Sequence, residues 1–426
     1  MQPGRKLSSW KEIASYLKIS VRTAQSWEQE RGLPVVRVPG EKRVQVFAIA
    51  EDLDRWAGQG PLPPQTLNQA HSGLWIAATV AALVAVSAGW MLLRTRSRPA
   101  VLIPDLQGFV AADAEGNRLW RWTGPEQLQV SQYQPQGVRK LHFLADLDGD
   151  GSNEAVFGAD YVAAGQTNSE VICFSSTGSP RWKFQPGRPV RAGTEDFAGR
   201  FLIEGIQLAH GRGGRLLVVV ASRHWNFYPA QIAVLDIQGK LLREYWHSGG
   251  FAGLAAADLD QDGRDEIYLG GTDNGLKRAT LLVLDPEELD GAADETANPD
   301  FQLLGFAPGR ERMRIVFPDS CVSRASAYRP DVENMSIVDG GIELAVRHAV
   351  SGYRSATVHY RVDSRGMVRH IALGDGYLDI HARLESEGRI RHHFDEHREK
   401  TELQHVEFLA PPSQASGQRA GFQATR

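Results

Sequence analysis

The stretch DLDGDGSNEAVFG at residues 146–158 recurs as DLDQDGRDEIYLGG at residues 258–271. Both segments read D-x-D-x-D-G-x-x-E and continue into a short apolar run that ends in glycine. Aspartates at alternate positions place three carboxylates on one side of a curved loop, and the glycine at position six permits the sharp turn. Because crowded carboxylates repel one another, the pattern predicts a cation site in front of a β-strand.

Oxygen ligands alone favour Ca²⁺ over Mg²⁺ as the bound cation. The predicted metal ligands are Asp146, Asp148, Asp150 and Glu154 in the first loop, and Asp258, Asp260, Asp262 and Glu266 in the second. An EF-hand is excluded because its bidentate glutamate at position twelve is replaced by Phe157 and Leu269. An acidic turn without metal remains the alternative interpretation.

The two loops resemble the FG-GAP or VCBS repeats, which are the calcium loops of integrin-type propellers. The resemblance implies a large all-β, propeller-like repeat domain over residues 99–410, with bound calcium and a role in binding or adhesion. A third segment, LAHGRGGRLLVVVAS at residues 208–222, resembles a repeat whose loop has lost its acidic residues.

A second repeated phrase combines a polar turn with a strand that ends in aromatic residues. It appears as DAEGNRLWRW (113–122), SSTGSPRWKF (175–184) and DIQGKLLREYW (236–246), with a weaker copy that starts at Asp363. A recurring unit of several strands predicts a propeller or a stacked array, with the tryptophans in its core.

The N-terminal segment has a helical pattern. Ser9 and Glu12 form a capping box, and Ser20 is placed to cap a second helix. Residues 7–57 resemble a small α+β winged helix-turn-helix of the MerR and excisionase-like kind. The resemblance implies that DNA is contacted by Arg22, Thr23, Gln25 and Ser26 on the second helix, and by Arg37, Lys42 and Arg43 on a basic wing. A protein-interaction domain without DNA affinity is the alternative.

Residues 74–93, LWIAATVAALVAVSAGWMLL, contain no charge. As a helix they would span about 30 Å, so they predict a single transmembrane helix in contact with the lipid bilayer. A buried helix of a soluble core is the alternative. The predicted domains are therefore a helix-turn-helix at 1–57, a linker at 58–73, the transmembrane helix at 74–93, the repeat domain at 99–410 and a disordered tail at 411–426.

The orientation of the membrane segment is argued from charge and from function. Arg94, Arg96 and Arg98 follow it directly and favour a cytoplasmic C-terminal domain. DNA binding and weak calcium loops favour the opposite orientation. The prediction is an inner-membrane protein with a cytoplasmic N-terminus and a periplasmic or extracellular C-terminal domain.

Several classes of function are excluded or disfavoured. The net charge of −4 gives no overall bias toward nucleic acid, and the sequence has neither a P-loop nor a dinucleotide-binding fingerprint. Cys173 and Cys321 are predicted to be unpaired. In the run RIRHHFDEHREK, His393 and His397 have the spacing of metal ligands on a helix, but arginines and a lysine crowd them. We predict that the protein is not an enzyme.

These patterns together predict a membrane-tethered DNA-binding regulator or sensor. Its calcium-stabilised propeller would bind a protein or carbohydrate ligand, and signalling would need dimerisation, as a homodimer, or a change in association. The alternative function is an envelope adhesion or protein-interaction protein whose helix-turn-helix no longer binds DNA.

Overall fold

The computed structural model divides into two compact units, residues 1–95 and residues 96–426. It describes residues 5–38, 45–58, 98–133, 139–163, 166–295, 298–350, 352 and 355–411. The predicted linker beyond residue 58, the predicted transmembrane segment and the predicted tail beyond residue 411 lie outside this part.

The described residues of the first unit form three short helices and a three-stranded antiparallel sheet. The helices are Trp10–Tyr16 (α1), Val21–Arg31 (α2) and Ala50–Ala57 (α3); the strands are Lys6–Leu7 (β1), Val36–Val38 (β2) and Gln45–Ile49 (β3), in the order β1-β3-β2. The predicted caps are confirmed, because Ser9 and Ser20 each accept a backbone N–H three residues ahead, at 3.2 and 3.0 Å.

The second unit is a series of antiparallel sheets that follow one another along the chain. Sheet 1 contains Val101–Asp105 (β4), Gly108–Ala112 (β5) and Arg118–Thr123 (β6). Sheet 2 contains Gln127–Leu128 (β7), His142–Ala145 (β8), Glu154–Ala163 (β9), Gln166–Phe174 (β10) and Pro180–Phe184 (β11). A small separate sheet joins Val190–Ala192 (β12) and Glu195–Phe197 (β13) to Leu303–Leu304 (β21).

The remaining sheets complete the series. Sheet 3 contains Phe201–His210 (β14), Leu216–His224 (β15), Ala230–Leu235 (β16) and Leu241–His247 (β17). Sheet 4 contains Phe251–Ala257 (β18), Glu266–Asp273 (β19), Arg278–Leu284 (β20), Met313–Val316 (β22) and Glu407–Ala410 (β27). Sheet 5 contains Asp331–Val338 (β23), Gly341–His348 (β24), Ala356–Val362 (β25) and Val368–Leu373 (β26).

Consecutive sheets pack face to face, and their alternating apolar side chains form a separate core layer at each junction. In β15, for example, Val218 and Val220 face the layer shared with sheet 2, whereas Val219 faces the layer shared with sheet 4. The inner sheets are therefore buried on both faces. This explains why their strands read as continuous apolar runs instead of strict alternation.

The repeated tryptophan phrase connects neighbouring sheets. The Trp120 indole on β6 donates to the Ser176 carbonyl at 2.8 Å, and the Trp182 indole on β11 donates to the Ile237 carbonyl at 2.9 Å. In both cases the acceptor lies in the polar turn of the next sheet. The prediction that these residues belong to the core of a repeated array is confirmed for Trp120 and Trp182, which pack partly buried between sheets.

The predicted propeller is wrong. The sheets form an open series, because each core layer among the described residues joins consecutive sheets and none contains side chains of both sheet 1 and sheet 5. A propeller requires its first and last blades to meet around a central axis. The fold class is therefore corrected to a mostly β protein with stacked, unclosed sheets.

The winged helix-turn-helix and the membrane-spanning helix are not supported either. The tip of the hairpin that would form the wing, residues 39–44, lies outside the described part. No helix in that part is long and apolar enough to cross a bilayer. The longest is 12 residues, or about 18 Å, against roughly 30 Å of hydrocarbon. The predicted single-pass inner-membrane localisation and bilayer contact are corrected on this finding.

Three short helices complete the second unit beside sheets 4 and 5. They are Cys321–Arg324 (α4), Asp375–Ser386 (α5) and Glu396–Leu403 (α6). Tyr377, Ile380 and Leu384 on α5 pack into the same core cluster as the apolar residues of sheet 5. The chain then returns to sheet 4 as β27, which pairs with β22.

Candidate metal loops and binding cleft

The first acidic loop connects β8 to β9 and brings three of its four predicted ligands together. Carboxylate oxygens of Asp146, Asp148 and Glu154 lie within 4.8 Å of one another. Asp146 also accepts the backbone N–H groups of Gly149 and Gly151, both at 2.8 Å, which fixes the curvature of the loop. Asp150 is outside this group, and its carboxylate accepts a backbone N–H two residues ahead.

The second acidic loop occupies the same position in sheet 4, between β18 and β19. Here Asp258, Asp260 and Asp262 converge within 4.8 Å. Asp258 accepts the Gly263 N–H at 2.9 Å, which matches the bond that Asp146 makes in the first loop. Glu266 lies at the start of β19 and is almost fully buried.

Each loop is contacted by an arginine that the sequence patterns did not reveal. Arg181 on β11 donates to Asp148 at 2.7 Å and lies 3.4 Å from Glu154. Arg312, just before β22, forms a very short ion pair with Glu266 and lies 3.3 Å from Asp260. Arg181 lies in the repeated tryptophan phrase, but nothing in that phrase links it to the acidic loop, and Arg312 lies in a loop without any motif.

Burial makes the closing glutamates weaker acids. Desolvation raises the pKa of Glu154 above its usual value, and it raises the pKa of Glu266 to about 7, with help from the nearby Asp260. Arg264 has the opposite effect on its neighbour, because its hydrogen bond lowers the pKa of Asp262. The inner end of the second loop therefore holds a carboxyl group that a nearby cation would ionise.

The corresponding loop of sheet 3 lacks acidic residues of its own, as the sequence predicted. It connects β14 to β15 through a short 3₁₀ turn at Arg212–Gly214. His210 instead contacts the neighbouring acidic loop, where its backbone N–H and its ring Nδ1 both lie 2.8 Å from Asp265. This turn gives no metal site among the described residues.

A cleft of about 620 Å³ opens between sheets 3, 4 and 5. Its charged lining consists of Arg139, Glu204, Arg223, Arg329, Asp331 and Arg347, which gives an excess of two positive charges. Two aromatic residues at its rim are strongly exposed, Phe227 at 71% and Tyr328 at 53%. The cleft combines arginines and aromatic rings, the residues that dominate the energetics of protein interfaces.

The residues predicted to contact DNA do not form a free basic surface. Arg37 is held by Glu28 through two bonds of 2.9 and 2.6 Å. The Thr23 hydroxyl is 2.7 Å from the Ser20 hydroxyl at the helix N-terminus. Arg22 and Gln25 are exposed and Ser26 is partly buried, whereas Lys42 and Arg43 lie outside the described residues.

Comparison with known proteins assigns no family. No family model and no curated protein matches this chain. Among solved structures, a protein from Bacteroides thetaiotaomicron provisionally described as a glycosidase matches 65% of this chain and 80% of its own, with 11% identity and a TM-score of 0.27. The biofilm matrix protein Bap1 from V. cholerae matches 66% of this chain and 47% of its own, with 12% identity and a TM-score of 0.22.

Similarities at this level do not establish a shared fold, so neither description carries over to this chain. The assignment to a winged helix-turn-helix fused to an integrin-type propeller is wrong, because the described residues form a mostly β structure whose sheets are not closed. With Arg37 neutralised by Glu28, the prediction of a DNA partner is corrected as well.

Proposed function

We propose that the second unit is a calcium-dependent binding module that holds one Ca²⁺ in each acidic loop. The observation that carries this proposal is the convergence of three carboxylates within 4.8 Å in both loops, at equivalent positions of sheets 2 and 4. The two loops share their acid spacing and the aspartate-to-glycine N–H bond, whereas the third converging acid is Glu154 in the first loop and Asp262 in the second. Oxygen-rich loops of this kind suit a hard cation of the size of Ca²⁺.

Arg181 and Arg312 supply the positive charge in each loop when calcium is absent. The Arg181 side chain is 35% exposed, so it can turn toward solvent when a cation enters. Arg312 is less exposed, at 19%, and forms ion pairs with three carboxylates, those of Asp260, Asp262 and Glu266. The first loop should therefore bind calcium more tightly than the second, because its arginine pairs with only two carboxylates and less Coulombic attraction is lost when a cation displaces it.

Calcium stoichiometry in the full chain tests the proposal. Equilibrium dialysis should find two bound Ca²⁺ ions, with one lost in Asp148→Asn and the other in Asp260→Asn. Asp339→Asn is the matched control, because this aspartate lies in an exposed turn of sheet 5 and should leave both ions bound. Binding that is absent, or that is unchanged in both loop variants, would show that these loops are acidic turns closed by arginine.

We further propose that the cleft between sheets 3, 4 and 5 binds a protein partner with an acidic surface. The excess of arginines attracts negative charge, and the exposed Phe227 and Tyr328 offer rigid aromatic area at the rim. Arg329 is well placed for this contact, because it is exposed and is oriented by Asn274 and the Phe301 ring.

Poly-L-glutamate serves as the probe for this surface, and poly-L-lysine, a polymer of opposite charge, serves as the control. The full chain should bind the acidic polymer, with an affinity that falls as salt screens the arginines. Arg329→Gln should weaken binding, whereas Arg243→Gln, an exposed arginine on β17, should not. Equal binding of both polymers, or equal effects of both variants, would exclude the cleft as the acidic-partner site.

A further inference from the structure

A second group of metal-binding side chains lies among the C-terminal helices, far along the sequence from the acidic loops. It consists of Cys321 on α4, His381 on α5, His392 in the following loop and Glu399 on α6. One donor atom from each of the four lies within 4.8 Å of the other three. Cys321, His381 and Glu399 are at most 6% exposed, and the His392 side chain is 23% exposed.

We propose that Cys321, His381, His392 and Glu399 bind one structural Zn²⁺ ion. One thiolate, two imidazoles and one carboxylate are common zinc ligands, and four protein ligands make a closed site of the structural type. The site would fasten α4, α5 and α6 to one another beside sheet 5.

The distances fit a tetrahedral ion. With zinc–nitrogen bonds near 2.05 Å, tetrahedral donor atoms are about 3.3 Å apart. The two histidine Nε2 atoms are 3.2 Å apart, and those of His392 and His381 are 2.8 and 3.8 Å from the nearer oxygen of Glu399. Cys321 Sγ lies 3.2 Å from the other oxygen of the same carboxylate.

The charges fit as well. A thiolate and a carboxylate together carry two negative charges, which one divalent cation neutralises. Among the described residues no lysine or arginine pairs with Glu399, although its side chain is only 1% exposed. The two histidines beside it carry charge only when protonated, so a bound divalent cation would supply the positive charge that a buried carboxylate needs.

The side chains that contact the proposed ligands are also arranged as in a zinc site. The Tyr377 hydroxyl donates to Glu399 at 2.8 Å and fixes the orientation of that carboxylate. On the far side of its ring, the Nδ1 atom of the fully buried His381 has no hydrogen-bond partner, and the Glu385 carboxylate lies 3.9 Å from it. Zinc-bound histidines characteristically direct their second nitrogen toward a carboxylate.

Hydrogen bonds from Tyr377 and His392 satisfy Glu399, but they cannot satisfy both histidine Nε2 atoms at the same time. The His392 Nε2 atom faces both Glu399 and His381, but a neutral ring carries a single proton at that atom. If His392 donates this proton to Glu399, no hydrogen bond joins the two histidine Nε2 atoms, although they are only 3.2 Å apart. A cation at the centre binds all the lone pairs at once.

Metal analysis and Co²⁺ substitution in the full chain test the proposal, with excess Ca²⁺ present to occupy the acidic loops. The wild type should retain one Zn²⁺ after dialysis, and the Co²⁺ form should show a thiolate-to-cobalt charge-transfer band. Cys321→Ser should lose that band, and His392→Gln should lose the metal. His397→Gln, an exposed histidine of α6, and Cys173→Ala, the other buried cysteine, should change neither.

Metal-loaded wild type without a thiolate band would overturn the proposal, whether or not the variants fold. Full retention of zinc by folded His392→Gln would overturn it too.

Discussion

At the scale of single residues, the buried charges of sheet 4 decide whether that sheet is stable. Arg314 on β22 is 5% exposed and faces three buried carboxylates, with Asp273, Glu295 and Glu311 at 3.3 to 3.9 Å. Arg314→Met leaves these acids without their shared counter-ion, which should lower the free energy of unfolding by about 3–5 kcal/mol. Denaturant unfolding checks this value. Arg212→Met is the control: its side chain is 68% exposed, and its surface pairs should contribute less than about 1 kcal/mol.

A second residue-scale prediction concerns acid stability. Burial lowers the pKa of His348 on β24 to about 4, and the unfolded chain takes up this proton near pH 6.5. The unfolded state therefore binds more protons between these values, so stability is lost as the pH falls from 6.5 toward 4. His348 should account for about 2 kcal/mol of the loss between pH 6.5 and 5. Unfolding of His348→Gln should show a smaller pH dependence in that window; a slope identical to that of the wild type would contradict this.

At the scale of elements, the polar turns of the tryptophan phrase should be sensitive to added volume. Gly178 has a φ of +88°, and a Cβ atom there would lie 2.6 Å from the Trp120 ring. Gly116 adopts a φ of +84° in the matching turn of sheet 1, but has nothing within 4 Å of its Cβ position. Both Gly→Ala variants carry the same backbone strain, about 1 kcal/mol. Gly178→Ala should cost a further 1–3 kcal/mol, roughly, for the steric clash. Equal melting temperatures for the two variants would show that the Trp120 contact does not hold sheets 1 and 2 together.

Local patterns predicted elements well and their assembly poorly. The caps at Ser9 and Ser20 could be read from the sequence, because a capping bond depends only on residues three apart. The curvature of both acidic loops follows for the same reason. Arg181 and Arg312 could not be predicted as partners of these loops, since sheet pairing brings them from 33 and 46 residues beyond Asp148 and Glu266. The cysteine of the C-terminal cluster is likewise 78 residues from its glutamate.

At the scale of the whole molecule, repeats in the sequence did not determine closure. The repeated tryptophan phrase depends only on how each sheet packs on the next. The packing of two neighbouring sheets is the same in an open series and in a closed ring. Whether the ends meet depends on the small rotation between sheets, which no single segment encodes. The sequence of residues 74–93 is also insufficient by itself, because an apolar run gives the length and composition of a segment but not the location of the protein.

Calcium bound in the two acidic loops should stabilise the second unit. The most direct measurement is thermal unfolding of the full chain, after a chelator has removed divalent ions and again after Ca²⁺ or Mg²⁺ is added back. An ion that binds only the folded state adds about 2.7 kcal/mol per site at a hundredfold excess over its dissociation constant. Addition of Ca²⁺ should restore the melting temperature, and Mg²⁺, with its tighter octahedral geometry, should restore less of it. A melting temperature that stays the same with chelator, Ca²⁺ and Mg²⁺ would show that the loops hold no stabilising calcium.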